Sequence, residues 1–408
     1  MERMLSGNAT ANSEAVRGMP TEARAEPVRA PQLSPRARPT RFRGLLESLL
    51  ARADIRIDGG RAWDMQVHEP STYQRLLAQG SLGLGESYME GAWDSEDLEG
   101  LLARLLEAGL DRQVITWADR WAVLRARLLN RQNARRAFQV GQQHYDLGND
   151  LYRAMLGKRM VYSCAYWREA DDLDSAQEAK LDLVCRKLML QPGMRVLDIG
   201  CGWGEALEFA ATHHGVSGVG ITVSNEQADH ARRLCADLPV QTRVQDYRSL
   251  DERFHRVFSI GMFEHVGVRN YRRYFEVARR CLAEDGVFLL HTIGSNVSVR
   301  TTDPWIERYI FPNSMLPSAR QIADAVEGLF VIEDWHNFGV DYERTLLAWR
   351  DNIERAWPSL PARYDLRFRR MWRYYLAASI ACFRTRQAQL WQIVLSPKGV
   401  RGGYVAPR

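Results

Sequence analysis

An α/β fold is what this 408-residue sequence predicts: a doubly wound parallel sheet behind a smaller α+β region. From about Leu181 onward, continuous apolar runs alternate with helical patterns, as in parallel sheets covered on both faces. The first of these runs leads directly into a glycine-rich turn, "VLDIGCGWG", at Val196–Gly204. Ahead of it the spacing is mostly helical, with one short alternating stretch.

Residues 1–40 are rich in Pro, Ala and Arg and poor in large apolar groups, so they are expected to form a disordered tail. Residues 41–130 read as a small α+β domain. "FRGLLESLLARA" and "EDLEGLLARLLEAGL" carry apolar residues at helical spacing. Between them "DIRIDGGRAWDMQVH" suggests a hairpin around Gly59 and Gly60. "SLGLGESYMEGAWDSEDL" reads as a loop leading to Ser95, the expected cap of the next helix. Residues 131–180 are expected to supply an arginine-rich linker helix and a segment covering the sheet's ligand.

Residues 181–408 carry the sheet. "MRVLDIG" is its first strand, followed by the helix "GEALEFAATHHG", which Gly215 closes. "VSGVGITV" is the second strand, and Ser224 caps the helix after it. "VQTRVQD", "RVFSIGM" and "GVFLLHTIG" supply further strands, with the helix "YRRYFEVARRCLAEDG" before the last.

Apolar residues make up 46% of the chain, enough for a sizeable core, and the net charge of +5 is only mildly basic. The six cysteines form no CxxC pair, which points to a reducing compartment and away from a bound metal. No stretch offers the roughly 18 consecutive apolar residues of a membrane span. The first residues also lack the apolar core of a secretion signal. A cytoplasmic protein is expected, with any membrane contact peripheral.

In a doubly wound sheet the first strand-to-helix turn lies where ligands bind. A dinucleotide site would space its glycines as G-x-G-x-x-G. Here they fall at Gly200, Gly202 and Gly204, behind Asp198. An acid beside the turn opposes a phosphate and suits a cation or an amine. S-adenosylmethionine carries both a sulfonium and an α-ammonium, so the electrostatics favour it over NAD. Further contacts are then expected from Thr222, Ser224 and Gln227 after the second strand. After the third, Asp246 could accept from the adenine amine, with Tyr247 and Arg248 beside it.

Glu264 and His265 follow the fourth strand and His291 ends the fifth, at the rim where catalytic groups gather in open α/β sheets. "MVYSCAYW", "DPWIERYIFPN", "WHNFGVDYERTLLAW" and "MWRYYLAASIACF" concentrate aromatic rings outside the sheet. Most such rings are core, but together they suit an apolar pocket sheltering a long chain or a carbocation. Desolvated aromatic faces attract cations by ~2 kcal/mol or more.

In "GSLGLGESYMEGAW", "HYDLGNDLY", "YSCAYW", "VLDIGCGWG", "SIGMFEHVG", "FLLHTIGS", "DPWIERYIFPN" and "EDWHNFGVDY", the chain resembles the cyclopropane fatty acyl phospholipid synthases and the related mycolic acid cyclopropane synthases. The resemblance runs from about residue 43 onward. It implies a Rossmann-like class I methyltransferase domain at residues 181–408 and an N-terminal domain that docks the lipid. It also implies transfer of the S-adenosylmethionine methyl group to a cis double bond of a phospholipid acyl chain. The resulting carbocation would close to a ring by losing a proton to bound bicarbonate. The bicarbonate ligands it implies are Cys164, Glu264, His291, Ile293 through its amide, and Tyr342. The cofactor contacts it implies are Tyr162, Ser163, the run Val196, Leu197, Asp198, Ile199, Gly200, Cys201, Gly202, Trp203 and Gly204, residues from Thr222 to Gln227, and Tyr247 with Arg248. A bilayer surface and a second copy of the chain are the partners it implies, with no nucleic acid and an address at the inner face of the cytoplasmic membrane.

One position departs from the family pattern: Ser379 occupies the slot of a family cysteine, with Cys382 a helical turn later. A serine nucleophile has no role in such a mechanism, so the cysteine is expected to be dispensable. Two competing readings remain at this point. In one the carbocation is reduced or hydrated, giving a branched or hydroxylated chain. In the other the protein only binds or carries lipid, which the complete turn and the intact Glu264 and His291 argue against.

Overall fold

The computed structural model describes residues 37–110 and 148–408. Most of the expected tail and the arginine-rich linker helix lie outside the described residues. The first helix, α1, spans Ala37–Leu50, so it takes in the last four residues assigned to the tail.

The first region continues with β1 (Gln66–Val67), α2 (Ser71–Met89), β2 (Trp93–Asp94) and α3 (Leu98–Glu107). Three local expectations change here. The chain does reverse near Gly59, but the reversal is a tight loop rather than a hairpin. The buried Asp64 carboxylate accepts from the amides of Arg56 and Arg61 and from the Arg61 guanidinium. The ladder is β1 against β2, antiparallel. The glycine-rich stretch expected to be a loop is the second half of α2. Within α2 only Gly80 leaves helical geometry, at φ 55° and ψ −131°. Asp97, not Ser95, caps α3 by accepting from the Gly100 amide, while Ser95 donates to the Ala62 carbonyl.

Two short-range elements then flank the aromatic segment "MVYSCAYW". They are α4 (Asn149–Leu156) and α5 (Leu173–Lys187), the latter opened by a capping box between Asp172 and Ser175. The sheet begins with β3 (Arg195–Ile199), α6 (Glu205–His214), β4 (Ser217–Thr222), α7 (Asn225–Leu234), β5 (Val240–Val244) and β6 (Phe254–Ile260). Next come α8 (Tyr271–Cys281) and β7 (Leu282–Ser295); the helix stops before "LAEDG", which joins the strand. Gly215 ends α6 in the left-handed region, and the Ser224 hydroxyl accepts from the Gln227 amide at the start of α7.

After β7 the chain forms α9 (Pro304–Tyr309), α10 (Ala319–Val326), β8 (Val331–Asn337), α11 (Val340–Ala356), α12 (Leu366–Arg384) and β9 (Ala388–Ser396). The sheet order is β5-β4-β3-β6-β7-β9-β8. Strands β3 to β7 pair in parallel, whereas β9 inserts antiparallel between β7 and β8. This antiparallel edge was not expected from the sequence.

The order reverses at β3, with β4 on one side and β6 on the other, which sets the switch point at the glycine turn. The N-terminal region does not stand apart from the sheet domain. One apolar cluster joins Leu46, Tyr88 and Trp93 to Trp349, Trp372 and Leu390. The seam is specific. A Cβ at Gly85 would collide with the Trp305 indole, whose N–H reaches the Met89 sulfur at 3.3 Å. Tyr309 donates to Glu86 at 2.8 Å, and Arg370 donates to the carbonyls of Tyr88 and Trp93.

Candidate active site

Two cavities meet above the strand ends. The smaller, about 180 Å³, opens on the glycine turn. Gly200 and Gly202 have φ values of 95° and 55°. A Cβ at Gly200 would come within 2.7 Å of Met262, whereas at Gly202 it would meet nothing, so that position faces open space. The turn therefore needs glycine for its backbone and leaves the cavity floor bare.

Asp198 lies at the end of β3, 2% exposed, and its Oδ1 has no partner among the described residues. Burial holds its carboxyl well above the usual carboxylate range. Thr222 donates to Gln227 Oε1 at 2.8 Å and, like Gln227, lines the cavity. Tyr162, Ser163, Cys201, Trp203, Tyr247 and Arg248 also line it. Asp246 lines it too, but its carboxylate already accepts from the Arg248 amide and guanidinium at 2.9 and 2.8 Å.

Other expected contacts do not reach this cavity. Val196, Leu197 and Ile199 alternate into the two apolar clusters on either face of the sheet, as a central strand requires. Ser224 is spent on capping α7 rather than on the wall. Their contribution is to place the turn.

The larger cavity, about 530 Å³, lies between the N-terminal helices and the sheet domain. Its walls are mainly apolar, with Leu46, Leu76 and Leu102 on one side and Phe311, Tyr375 and Phe383 on the other. Glu264, His291, Ile293 and Tyr342 all line it, as do Ser379 and Cys382. Tyr162, Ser163, Gly261 and His265 line both cavities and mark where they join. Tyr162 is held there by a 2.7 Å hydrogen bond between its hydroxyl and that of Tyr375.

Glu264 is 6% exposed, and burial pushes its carboxyl up to about 7. Its Oε1 accepts from the Ile293 amide at 2.7 Å, while Oε2 has no partner among the described residues. This corrects one expectation: the Ile293 N–H is engaged by Glu264, because a buried carboxylate needs a donor, and it is not presented to an external anion. His291 is 1% exposed and burial holds it well below its usual range, so it is neutral. Gln392 Nε2 lies 3.3 Å from its Nδ1, and in the tautomer that lets the amide donate there the ring proton sits on Nε2. That Nε2 has no partner among the described residues. Cys164 departs from the expected set. Its thiol lines neither cavity, bonds back to the Ala165 carbonyl at 3.1 Å and is pushed well up by burial.

Two lining residues, Lys180 and Glu205, went unnoticed in the sequence; both flank the glycine turn. His265, read from the sequence beside Glu264, sits at the junction, with burial pushing it down to about 4. Lys180 had a readable signal: it shares the buried face of α5 with Ala176, Leu183 and Val184, where a lysine is out of place. Among the described residues no group of His, Cys, Asp and Glu could hold a metal.

Known proteins resemble the chain in sequence and fold. The sequence profile of mycolic acid cyclopropane synthetase matches residues 132–393. The cyclopropane-fatty-acyl-phospholipid synthase of Escherichia coli is 51% identical over 360 residues, which are 88% of this chain and 94% of that protein. The structure of a cyclopropane synthase from Mycobacterium tuberculosis superposes with a TM-score of 0.60 at 30% identity, covering 63% of this chain and 97% of the other. A mycolic acid cyclopropane synthase complexed with SAH and CTAB gives 0.57 at 31% identity, covering 63% and 97%. With the glycine turn, the acid behind it and the paired cavities already in place, the chain belongs to the mycolic acid cyclopropane synthetase family and is an S-adenosylmethionine-dependent methyltransferase.

Proposed function

We propose that the protein builds a cyclopropane ring on the cis double bond of an unsaturated phospholipid acyl chain, with bicarbonate as the base. The observation that carries this reading is the junction. The large apolar cavity that meets the cofactor cavity carries on its own wall Glu264 and His291, which offer one bare acceptor and one bare donor. The E. coli relative's name supplies the substrate class.

S-adenosylmethionine, when bound, supplies an electrophilic methyl group, and bicarbonate supplies a base of modest strength. Asp198, Thr222, Gln227 and Tyr247, which line the cavity at the turn, would hold the cofactor there. The apolar walls hold the acyl chain and exclude water, which would otherwise trap a carbocation as an alcohol. Once the double bond has taken the methyl group, the cation is flanked by aromatic rings, Tyr162 above all, and must lose a proton from the new methyl group to close the ring.

The bare atoms fit a bicarbonate ion. The Glu264 carboxylate can accept from its hydroxyl, and the His291 Nε2–H can donate to one of its oxygens. Two acceptors facing a fully deprotonated anion would repel, so the fit depends on that hydroxyl. Tyr342 lines the same cavity. No helix among the described residues is long and apolar enough to cross a membrane. On this reading the acyl chain is taken up from a bilayer surface, with the apolar cavity as the receiving site.

The test is expression in bacteria that make unsaturated but no cyclopropane lipids, with mass analysis of the acyl chains. A gain of one methylene with loss of the double bond supports ring closure. A methylated chain that keeps its double bond, a saturated branched chain or unchanged lipids would overturn it.

A further inference from the structure

We propose that Lys180 is the counter-ion of the cofactor's carboxylate, so that Lys180 and Asp198 together form a receptor for the zwitterionic amino-acid end of S-adenosylmethionine. The inference rests on the methyltransferase assignment and not on the bicarbonate mechanism.

Two lysines on α5 are fully buried, and they differ in a telling way. Lys187 has its charge answered within the protein: Asp334 lies 3.3 Å from its Nζ, and His336 Nδ1 accepts at 3.0 Å. Lys180 has no acid in direct contact. Its hydrogen bond among the described residues goes to a neutral group, Ser163 Oγ, at 3.0 Å, while Asp198 and Glu205 act on it only through space. An ammonium has three N–H donors, so this one has room for a further acceptor. Burial accordingly pulls Lys180 down to about 8.

Asp198 is the complementary anomaly, a buried acid whose Oδ1 lacks a donor. Glu205, pushed up to about 8 by burial, is a second acid on the same wall. All three residues line the cofactor cavity, and none lines the acyl cavity. A buried cation and buried acids facing one space are matched by a ligand bringing both signs. The cofactor has one anionic group, its carboxylate, and an ammonium on the adjacent carbon. Carboxylate towards Lys180 and ammonium towards Asp198 would give the lysine an anionic acceptor and Asp198 Oδ1 a donor. The adenosine end is left to Thr222, Gln227 and Tyr247 at the other strand ends.

The test is calorimetric binding of S-adenosylhomocysteine and of its decarboxylated amine analogue to the full chain, with no lipid present. Wild type is expected to prefer the carboxylate ligand by about 100-fold, the scale of a buried charge-assisted pair. Lys180→Met and Lys180→Gln should lose about 100-fold for S-adenosylhomocysteine and stay within about threefold for the amine, collapsing the preference. Equal binding of the two ligands by wild type would overturn the inference, as would a preference that survives in both variants. Failure of wild type to bind either ligand would overturn the cofactor assignment and this inference together. Should the variants not fold, a crystal structure of wild type with S-adenosylhomocysteine decides. A carboxylate oxygen within hydrogen-bond distance of Lys180 Nζ supports the inference, and a carboxylate elsewhere overturns it.

Discussion

The two cavities are built by opposite means. The cofactor cavity is small, lies on consecutive parallel strands and holds buried charges, namely Asp198, Glu205 and Lys180. The larger cavity is apolar and assembled from distant pieces: α1 to α3, the loop around Phe311, and α11 and α12. On the proposed reading, the first recognises a fixed ligand by charge and hydrogen bonds, and the second shelters an acyl chain with no polar handles along its length, which it selects by shape.

If that division holds, damage should stay on its own side. The largest effect is expected from Glu264→Ala, which should lower ring formation by at least about 10²-fold, as for loss of a group that positions the base. Affinity for S-adenosylhomocysteine, read by calorimetry, should stay within about threefold. A parallel loss of cofactor affinity would break the division.

Glu264 also sets up a test by stability. Its folded pKa of about 7 lies above the unfolded value of about 4.3. Its stabilising contribution is therefore present at low pH and lost as pH rises through about 7. Between pH ~5 and ~8 the ligand-free wild type should lose about 2–3 kcal/mol relative to Glu264→Gln, measured by denaturant unfolding at each pH. A difference that does not change with pH would mean that the site is wetter than its burial implies.

A smaller effect is expected on the shape-selecting side. Ser379→Trp fills part of the larger cavity, so it should shift acyl preference towards shorter chains by roughly tenfold in competition between lipids, leaving cofactor affinity alone. The smallest is Cys382→Ala, one turn along the same wall, which should change turnover by less than about twofold. A strong loss there would restore a role for the family cysteine.

The same contrast governs what could be read from the sequence. The parallel half is legible because each strand is a continuous apolar run closed by a local signal: Gly215 after α6, Ser224 before α7. The later strands give no such signal. In β9 every residue is buried, yet Gln389 and Gln392 interrupt the apolar pattern. In β8 the exposure is mixed throughout. The second half of α2 was misread because its glycines lower helix propensity, whereas packing against Trp305 overrides that cost. Glu264 and His291 were visible from their place at strand ends. The engagement of Ile293 by Glu264 and the pairing of Lys180 with a neutral hydroxyl were not, because they depend on where buried side chains find partners.

The seam between the N-terminal region and the sheet domain bears on engineering. Because Gly85 receives the Trp305 indole and Glu86 receives Tyr309, the two halves are not interchangeable parts. A chimera whose grafted segment carries a side chain at the Gly85 position would meet the Trp305 indole at that point. Exchange of the two sides of the seam as a matched set is the workable unit of recombination.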